Sequence, residues 1–388
     1  MINSTERQVM LDPGEGTPRA GTNGSRVRRR FAVATATVAA ILLSTTTAEA
    51  APAWTIQPTP NPAGGTYTGM GSVSCPTTTN CIAVGSSSNQ PLAESWNGST
   101  WTITPTPGLV GNNYLHAVSC PSASACTAVG SSQNGGLTTI LAERWNGTSW
   151  SIQSVPNPPG ASSSSLSSVS CPSATRCIAV GGSNAGGALA ARWNGSTWSL
   201  MTVPNPPGAS LLGVSCSSAN ACTAVGYSDS GVLVVRWDGT SWTLQPAVNP
   251  TTLSQLRSVS CPTATNCMTV GITITSSPPY VVSGLSESWN GTTWTRQAIP
   301  SASTAHPTGV SCPTATTCMA VGVTTGFTTL ALLWNGSSWS TQTTPNPAGA
   351  VQARLEGVSC PSALLCTAVG SWYATTFSAS MTLAERWT

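Results

Sequence analysis

LAERWNGTSW occupies residues 141–150, and the same phrase returns as LAERWT, residues 383–388, where it stops after its first tryptophan. A phrase cut in half needs its other half elsewhere. Trp54-Thr55-Ile56-Gln57, running on as PTPNPAGG, matches the residues from the second tryptophan onward in WSIQSVPNPPG (150–160) and WSTQTTPNPAG (339–349). Joining Trp387 to Trp54 therefore completes one unit. An open solenoid has no reason to divide a repeat between its two ends, whereas a closed ring does, because strands from head and tail zip the last blade shut.

The cut phrase belongs to a seven-fold repeat. Fourteen cysteines form seven C-x5-C pairs, 75/81, 120/126, 171/177, 216/222, 261/267, 312/318 and 360/366, each inside a phrase such as AVSCPSASACTAVG (117–130). Between them W-[ND]-G-x-x-W recurs at Trp96/Trp101, Trp145/Trp150, Trp193/Trp198, Trp237/Trp242, Trp289/Trp294 and Trp334/Trp339. In the second unit the spacing predicts strands over 115–120, 126–132, 139–145 and 148–155, with Asn-Gly suited to a type I′ hairpin turn. Four antiparallel strands in about 48 residues, seven times over, match the size of a propeller blade. The expected fold over residues 51–388 is all-β: a seven-bladed β-propeller whose last blade is closed by the N-terminal strand.

Residues 1–50 carry an export pattern. RVRRRF (26–31) is a basic start, FAVATATVAAILL (31–43) an apolar run, and Ala48-Glu49-Ala50 a small-x-small cleavage site. The run is shorter than the roughly 20 residues that span a bilayer. A cleaved signal peptide, a secreted chain and no transmembrane segment in the mature protein are expected. Arg28-Arg29-Arg30-Phe31 also resembles a twin-arginine signal, so both export routes stay open.

Only 6% of residues are charged and none is lysine. After residue 50 eight arginines face seven acids. Phosphate backbones are bound by cationic stripes, so nucleic acid is not an expected partner. Schiff-base chemistry is excluded.

Exported chains meet oxidising conditions, and two histidines, His116 and His306, are too few to complete zinc sites with seven cysteine pairs. All fourteen cysteines, Cys75, Cys81, Cys120, Cys126, Cys171, Cys177, Cys216, Cys222, Cys261, Cys267, Cys312, Cys318, Cys360 and Cys366, are expected in seven hairpin disulfides. Loop entropy gives each roughly 2 kcal/mol at best. No metal and no cofactor are expected. The tryptophan pairs recur in every blade, which suits rigid filler between blades. Glu94, Glu143, Glu287 and Glu385, beside Arg144, Arg192, Arg236 and Arg386 in the LAERW register, suggest paired framework charges. The sequons at Asn97, Asn146, Asn194, Asn290 and Asn335 fall on turns that want Asn-Gly for backbone reasons.

On the pattern L-x-x-V-S-C, A-V-G and W-N-G-[ST]-[ST]-W, residues 54–388 resemble secreted bacterial β-propellers, the group that includes Asp-box, kelch-like and photosystem-assembly propellers. The box's aspartate is not matched, since Trp145 stands at that place in the second unit. The resemblance implies the fold and leaves activity open.

Strand alternation puts the cysteine hairpins and Asn-Gly turns on one face and the variable loops on the other. In blades four to seven those loops hold Tyr227, Asp229, Tyr280, Phe327, Trp372, Tyr373 and Phe377, an aromatic arc suited to carbohydrate or an extracellular protein. Tyr67, Tyr114, His116 and His306 lie on the same face. Asp229 and Glu356 are the mature acids outside the repeat register. A monomeric, non-catalytic binding scaffold is expected, with a carbohydrate-active hydrolase or a structural envelope protein as alternatives.

Overall fold

In the computed structural model, residues 51–388 are described apart from 249, 252, 276 and 376–378. The export pattern of residues 1–50 and the aromatic Phe377 lie outside the described residues. Short runs of small and β-branched residues, continuously buried in the second strand of each blade, give seven four-stranded antiparallel sheets, and their first strands touch one another all the way round. Blade one comprises Gly69–Thr77, Asn80–Ser87, Gln90–Trp96 and Trp101–Thr104. Blade seven comprises Gln352–Ser362, Leu365–Tyr373 and Ser380–Trp387, and its fourth strand is Trp54–Gln57 from the other end of the chain. Trp54 pairs with Trp387 and Gln57 with Ala384. Their indole rings lie 5.8 Å apart, as the two rings of each other blade lie 5.4–5.8 Å apart.

All seven disulfides form, with Cα atoms 4.0–4.1 Å apart, and they join the first two strands of each blade. The serine of each V-S-C phrase works in the other direction. Its Oγ accepts the backbone N–H of the next blade's cysteine: Ser74 from Cys120, Ser119 from Cys171, Ser170 from Cys216, and so on round to Ser359 from Cys75, all at 2.9–3.0 Å.

Two local expectations need correction. The Asn-Gly turns are not type I′, which requires positive φ at both central residues. Gly98 has φ +100° but Asn97 is not left-handed, and four residues separate the paired Trp96 and Trp101. Instead the Asn97 side-chain oxygen accepts the N–H groups of Ser99 and Thr100, both at 2.9 Å. Asp238 does the same in blade four with Thr240 and Ser241. The glutamates and arginines of the LAERW register do not pair either. Neighbouring residues of a strand point to opposite faces, so Glu143 is wholly buried while Arg144 crosses to the next blade.

Trp54→Ala empties a buried site at the joint. It is expected to lower stability by about 3–5 kcal/mol, read as a shift of the urea midpoint, and an unchanged midpoint would show that closure does not rest on this pair.

Candidate functional site

The first strand of every blade carries a bulge. In blade one Met70 pairs with Gly85 and Ser72 with Val84, leaving Gly71 unpaired. The same shift frees His116, Ser167, Leu212, Arg257, Thr308 and Glu356 in the other blades. Bulges re-aim side chains, and all seven of these residues line the central channel, a cavity of about 160 Å³. The glycine of A-V-G sits opposite each bulge because a Cβ at Gly85 would collide with the Gly69 carbonyl and lie 2.8 Å from Met70 Cα. The bulge residues His116, Arg257 and Glu356 are the ionisable ones.

On the variable-loop face the channel opens into a larger cavity of about 470 Å³ above blades seven, one and two, and both share Gly71, His116 and Glu356. Three tyrosines line it, Tyr67, Tyr114 and Tyr373, together with His116, Arg354 and the hydroxyl-bearing Ser371 and Ser380 of blade seven. Arg354 Nε lies 2.9 Å from Glu356 Oε1, the one ion pair among the described residues, and donates to Ser371 Oγ at 3.4 Å. Burial raises the Glu356 carboxyl above its ordinary range, while Arg354 and Arg257 pull it back. Burial lowers the His116 imidazole against the upward pull of the Leu166 carbonyl, which lies 3.0 Å from Nδ1. The site thus presents a neutral imidazole, a tethered carboxylate and a guanidinium that is half exposed.

Backbone strain gathers here. Tyr67, Ser88 and Asn89 have φ of 52°, 50° and 64°, three of the five non-glycine residues with positive φ among those described. Such conformations cost of order 1–3 kcal/mol each and persist where surroundings enforce them. Asn89 Oδ1 accepts the Tyr114 hydroxyl at 2.9 Å, and Ser88 Oγ accepts the Thr66 N–H at 2.8 Å, next to Tyr67.

Of the aromatic arc expected from sequence, Tyr373 lines this cavity. Tyr227, Asp229, Tyr280 and Phe327 do not. Asp229 sits on the turn after the second strand of blade four, its N–H donated to the Pro207 carbonyl. Phe327 is exposed, and its carbonyl accepts the Ala353 N–H. Trp372 points away from Tyr373, because they are consecutive on one strand, and packs on the core between blades six and seven. Arg354 was missed. The signal was available: it stands two residues before Glu356 on the innermost strand.

No family model and no curated protein matches this chain. Among solved structures it is similar to "YCF48 bound to D1 peptide", with TM-score 0.54 and 13% identity over 86% of this chain and 94% of that one. Ycf48 from Cyanidioschyzon merolae gives 0.54 and 14% over 86% and 98%. The WD40 repeats of RRP9 give 0.60 and 9% over 87% and 99%. These likenesses show the fold alone. The Asp-box and kelch-like features of the repeat phrases are not matched by a family model, so the resemblance narrows to that of a seven-bladed propeller.

The four glutamates of the LAERW register lie apart from the cavity lining and are fully buried. Burial pushes the carboxyls of Glu94, Glu143 and Glu385 up to about 8 and that of Glu287 up to about 7. Glu287 differs because Val248, in the segment arriving from the preceding blade, donates its N–H to Oε2 at 3.3 Å, and because the charge of Arg296, its partner across the sheet, also pulls it down. At the equivalent positions before blades one, two and seven stand Pro60, Pro107 and Pro345, which have no N–H to give.

A carboxyl whose folded pKa is raised holds its proton more tightly when folded. Its contribution to stability is complete below its unfolded value of 4.5 and is lost as pH rises through about 8. Asp238, lowered to about 2 chiefly by the Ser241 N–H, contributes in the opposite sense, losing its part as pH falls below 3.8. Thermal midpoints between pH 4 and 9 are therefore expected to peak near the acid end and decline towards pH 9. Replacing Glu94, Glu143 and Glu385 by Gln should flatten the decline; an equally steep decline in that variant would assign it to other groups.

Proposed function

We propose that this protein is a secreted, non-catalytic binding scaffold that takes a carbohydrate in the cavity above blades seven, one and two. The observation that carries the reading is the lining itself: three tyrosine faces beside the Arg354–Glu356 pair and the hydroxyls of Ser86, Ser371 and Ser380. Sugars offer apolar ring faces and a girdle of hydroxyls, which such a mixture of aromatic surface and convergent polar groups complements. Glycoside cleavage by paired carboxylates needs two of them roughly 5–10 Å apart. Glu356 is the carboxylate that lines the cavity, and Asp229 belongs to the far side of the ring in blade four. That distribution favours binding over hydrolysis.

Seven disulfides and no free cysteine suit an oxidising compartment, and with the export pattern of residues 1–50 they support secretion. The second reading is a peptide ligand in the same cavity, favoured by the likeness to the peptide-bound Ycf48 structure.

Glycan-array binding followed by calorimetry tests the proposal. Tyr373→Ala is expected to weaken binding at least tenfold, and Glu356→Gln to weaken it by releasing Arg354. Trp372→Ala, on the opposite face of the same strand, should leave affinity unchanged. Absence of glycan binding, or equal effects of the two aromatic substitutions, would remove the carbohydrate site.

A further inference from the structure

The blade junctions are controls for one another. At the junctions leaving blades two, four and seven, an arginine crosses to the next blade. The guanidinium groups of Arg144, Arg236 and Arg386 lie over Trp193, Trp289 and Trp96 at 4.9, 4.6 and 4.8 Å. Each also donates to a carbonyl in that blade's cysteine hairpin, at Ala174, Ala264 and Thr78. Such stacking is worth about 0.5–2 kcal/mol.

Blade three has the same arginine, and it is not used this way. Among the described residues, no ring contact, ion pair or hydrogen bond engages the Arg192 guanidinium. A second guanidinium accounts for the difference. Ile178 pairs across the sheet with Arg192 and packs against blade four, and Arg176 stands two residues from Ile178 on the same strand, hence on the same face. The equivalent residues in blades two, four and seven are Ala125, Ala221 and Leu365. Two like charges on one face oppose the close seating that one arginine achieves alone.

The unfilled junction is a groove of about 380 Å³ lined by Arg176, Arg192, Asn220 and Trp237. It runs on past Arg192 and Trp237 into a cavity of about 580 Å³ bordered by Ser199, Met201, Pro204 and Ser241. Asp238, the residue after Trp237, turns its carboxylate into its own turn, towards Thr240 and Ser241. Two of the eight arginines after residue 50 therefore line one elongated groove whose lining contains no acid.

We propose that the groove between blades three and four binds an acidic polysaccharide, its carboxylate or sulfate groups held by the exposed guanidinium groups of Arg176 and Arg192. Arginine's planar fork matches both oxyanions. The neutral hydroxyl and amide groups along the rest of the groove suit a hydroxylated polymer. This surface is separate from the cavity above blades seven, one and two.

The test is calorimetry of the full chain with polygalacturonate, dextran sulfate, neutral dextran and poly-glutamate. Binding of polygalacturonate or dextran sulfate, and which of them, supports the proposal and names the anion. Arg176→Ala/Arg192→Ala should weaken it at least tenfold, whereas Arg144→Ala, which removes a staple at the neighbouring junction, should not. Arg176→Ala alone should weaken binding without lowering the thermal midpoint, so that the loss is not one of folding. Neutral dextran or poly-glutamate binding as tightly, no binding of either acidic glycan, or a double variant that binds as well as the parent would overturn it.

Discussion

Seven backbone N–H groups hold this ring together. The first strand of each blade is a sheet edge, and an edge leaves donors that cost free energy unless something accepts them. Here the serine of V-S-C in one blade accepts from the cysteine of the next, and that cysteine is tied by its side chain to the second strand of its own blade. One residue thus fastens a blade internally and to its neighbour. In an open array the first donor, Cys75, and the last acceptor, Ser359, would have no partner. They meet at 3.0 Å, a distance like those of the other six pairs, so the ring closes without a distorted joint.

Such a chain needs few charges. With no lysine and 6% charged residues, its turns are closed by Asn and Asp side chains and its blades by serine hydroxyls. The asparagines of the sequons have a structural task on this account, since each side-chain oxygen already takes two backbone N–H groups. Repetition also exposes departures. The equivalents of Glu94 in blades three, four and six are Ala191, Val235 and Leu332, all buried, so the blade tolerates an apolar residue there. A protonated glutamate is neutral and so can occupy the same apolar site, which explains why Glu94, Glu143 and Glu385 are found without a basic partner.

Ring, blade count, strand count and disulfides were legible because each is written seven times, and closure because one phrase is split. The turn type was misread because Asn-Gly is a strong two-residue signal, and spacing alone does not show that the asparagine side chain, rather than its backbone, makes the turn. Glu and Arg of LAERW suggested pairs because they are adjacent in sequence, whereas adjacency in a strand places them on opposite faces. The same geometry separates Trp372 from Tyr373. The cavity was least legible. Its residues come from three blades at both ends of the chain, and the positions that bring His116 and Glu356 into the channel are set by bulges, which have no apolar period to mark them.

The cavity lies at the joint between the two ends of the ring. The segment leaving the closing strand is sewn to blade seven, where Thr382 N–H donates to Asn61 Oδ1 at 3.0 Å and Thr59 Oγ1 donates to the Thr382 carbonyl at 3.2 Å. It then reaches blade one, where the Thr68 and Ser87 hydroxyls meet at 2.7 Å while Thr68 N–H still donates to Ser380. Tyr67 stands within this crossing and Tyr373 on the blade it leaves. A ligand touching both would bridge the one place where adjacent strands of a blade are more than three hundred residues apart in sequence. Because such a ligand binds the closed ring and not the opened chain, occupancy and closure reinforce each other. A seven-fold scaffold has no other position at which binding energy acts so directly on the integrity of the whole, and this is a physical reason for the aromatic and charged residues of blades seven, one and two to gather there.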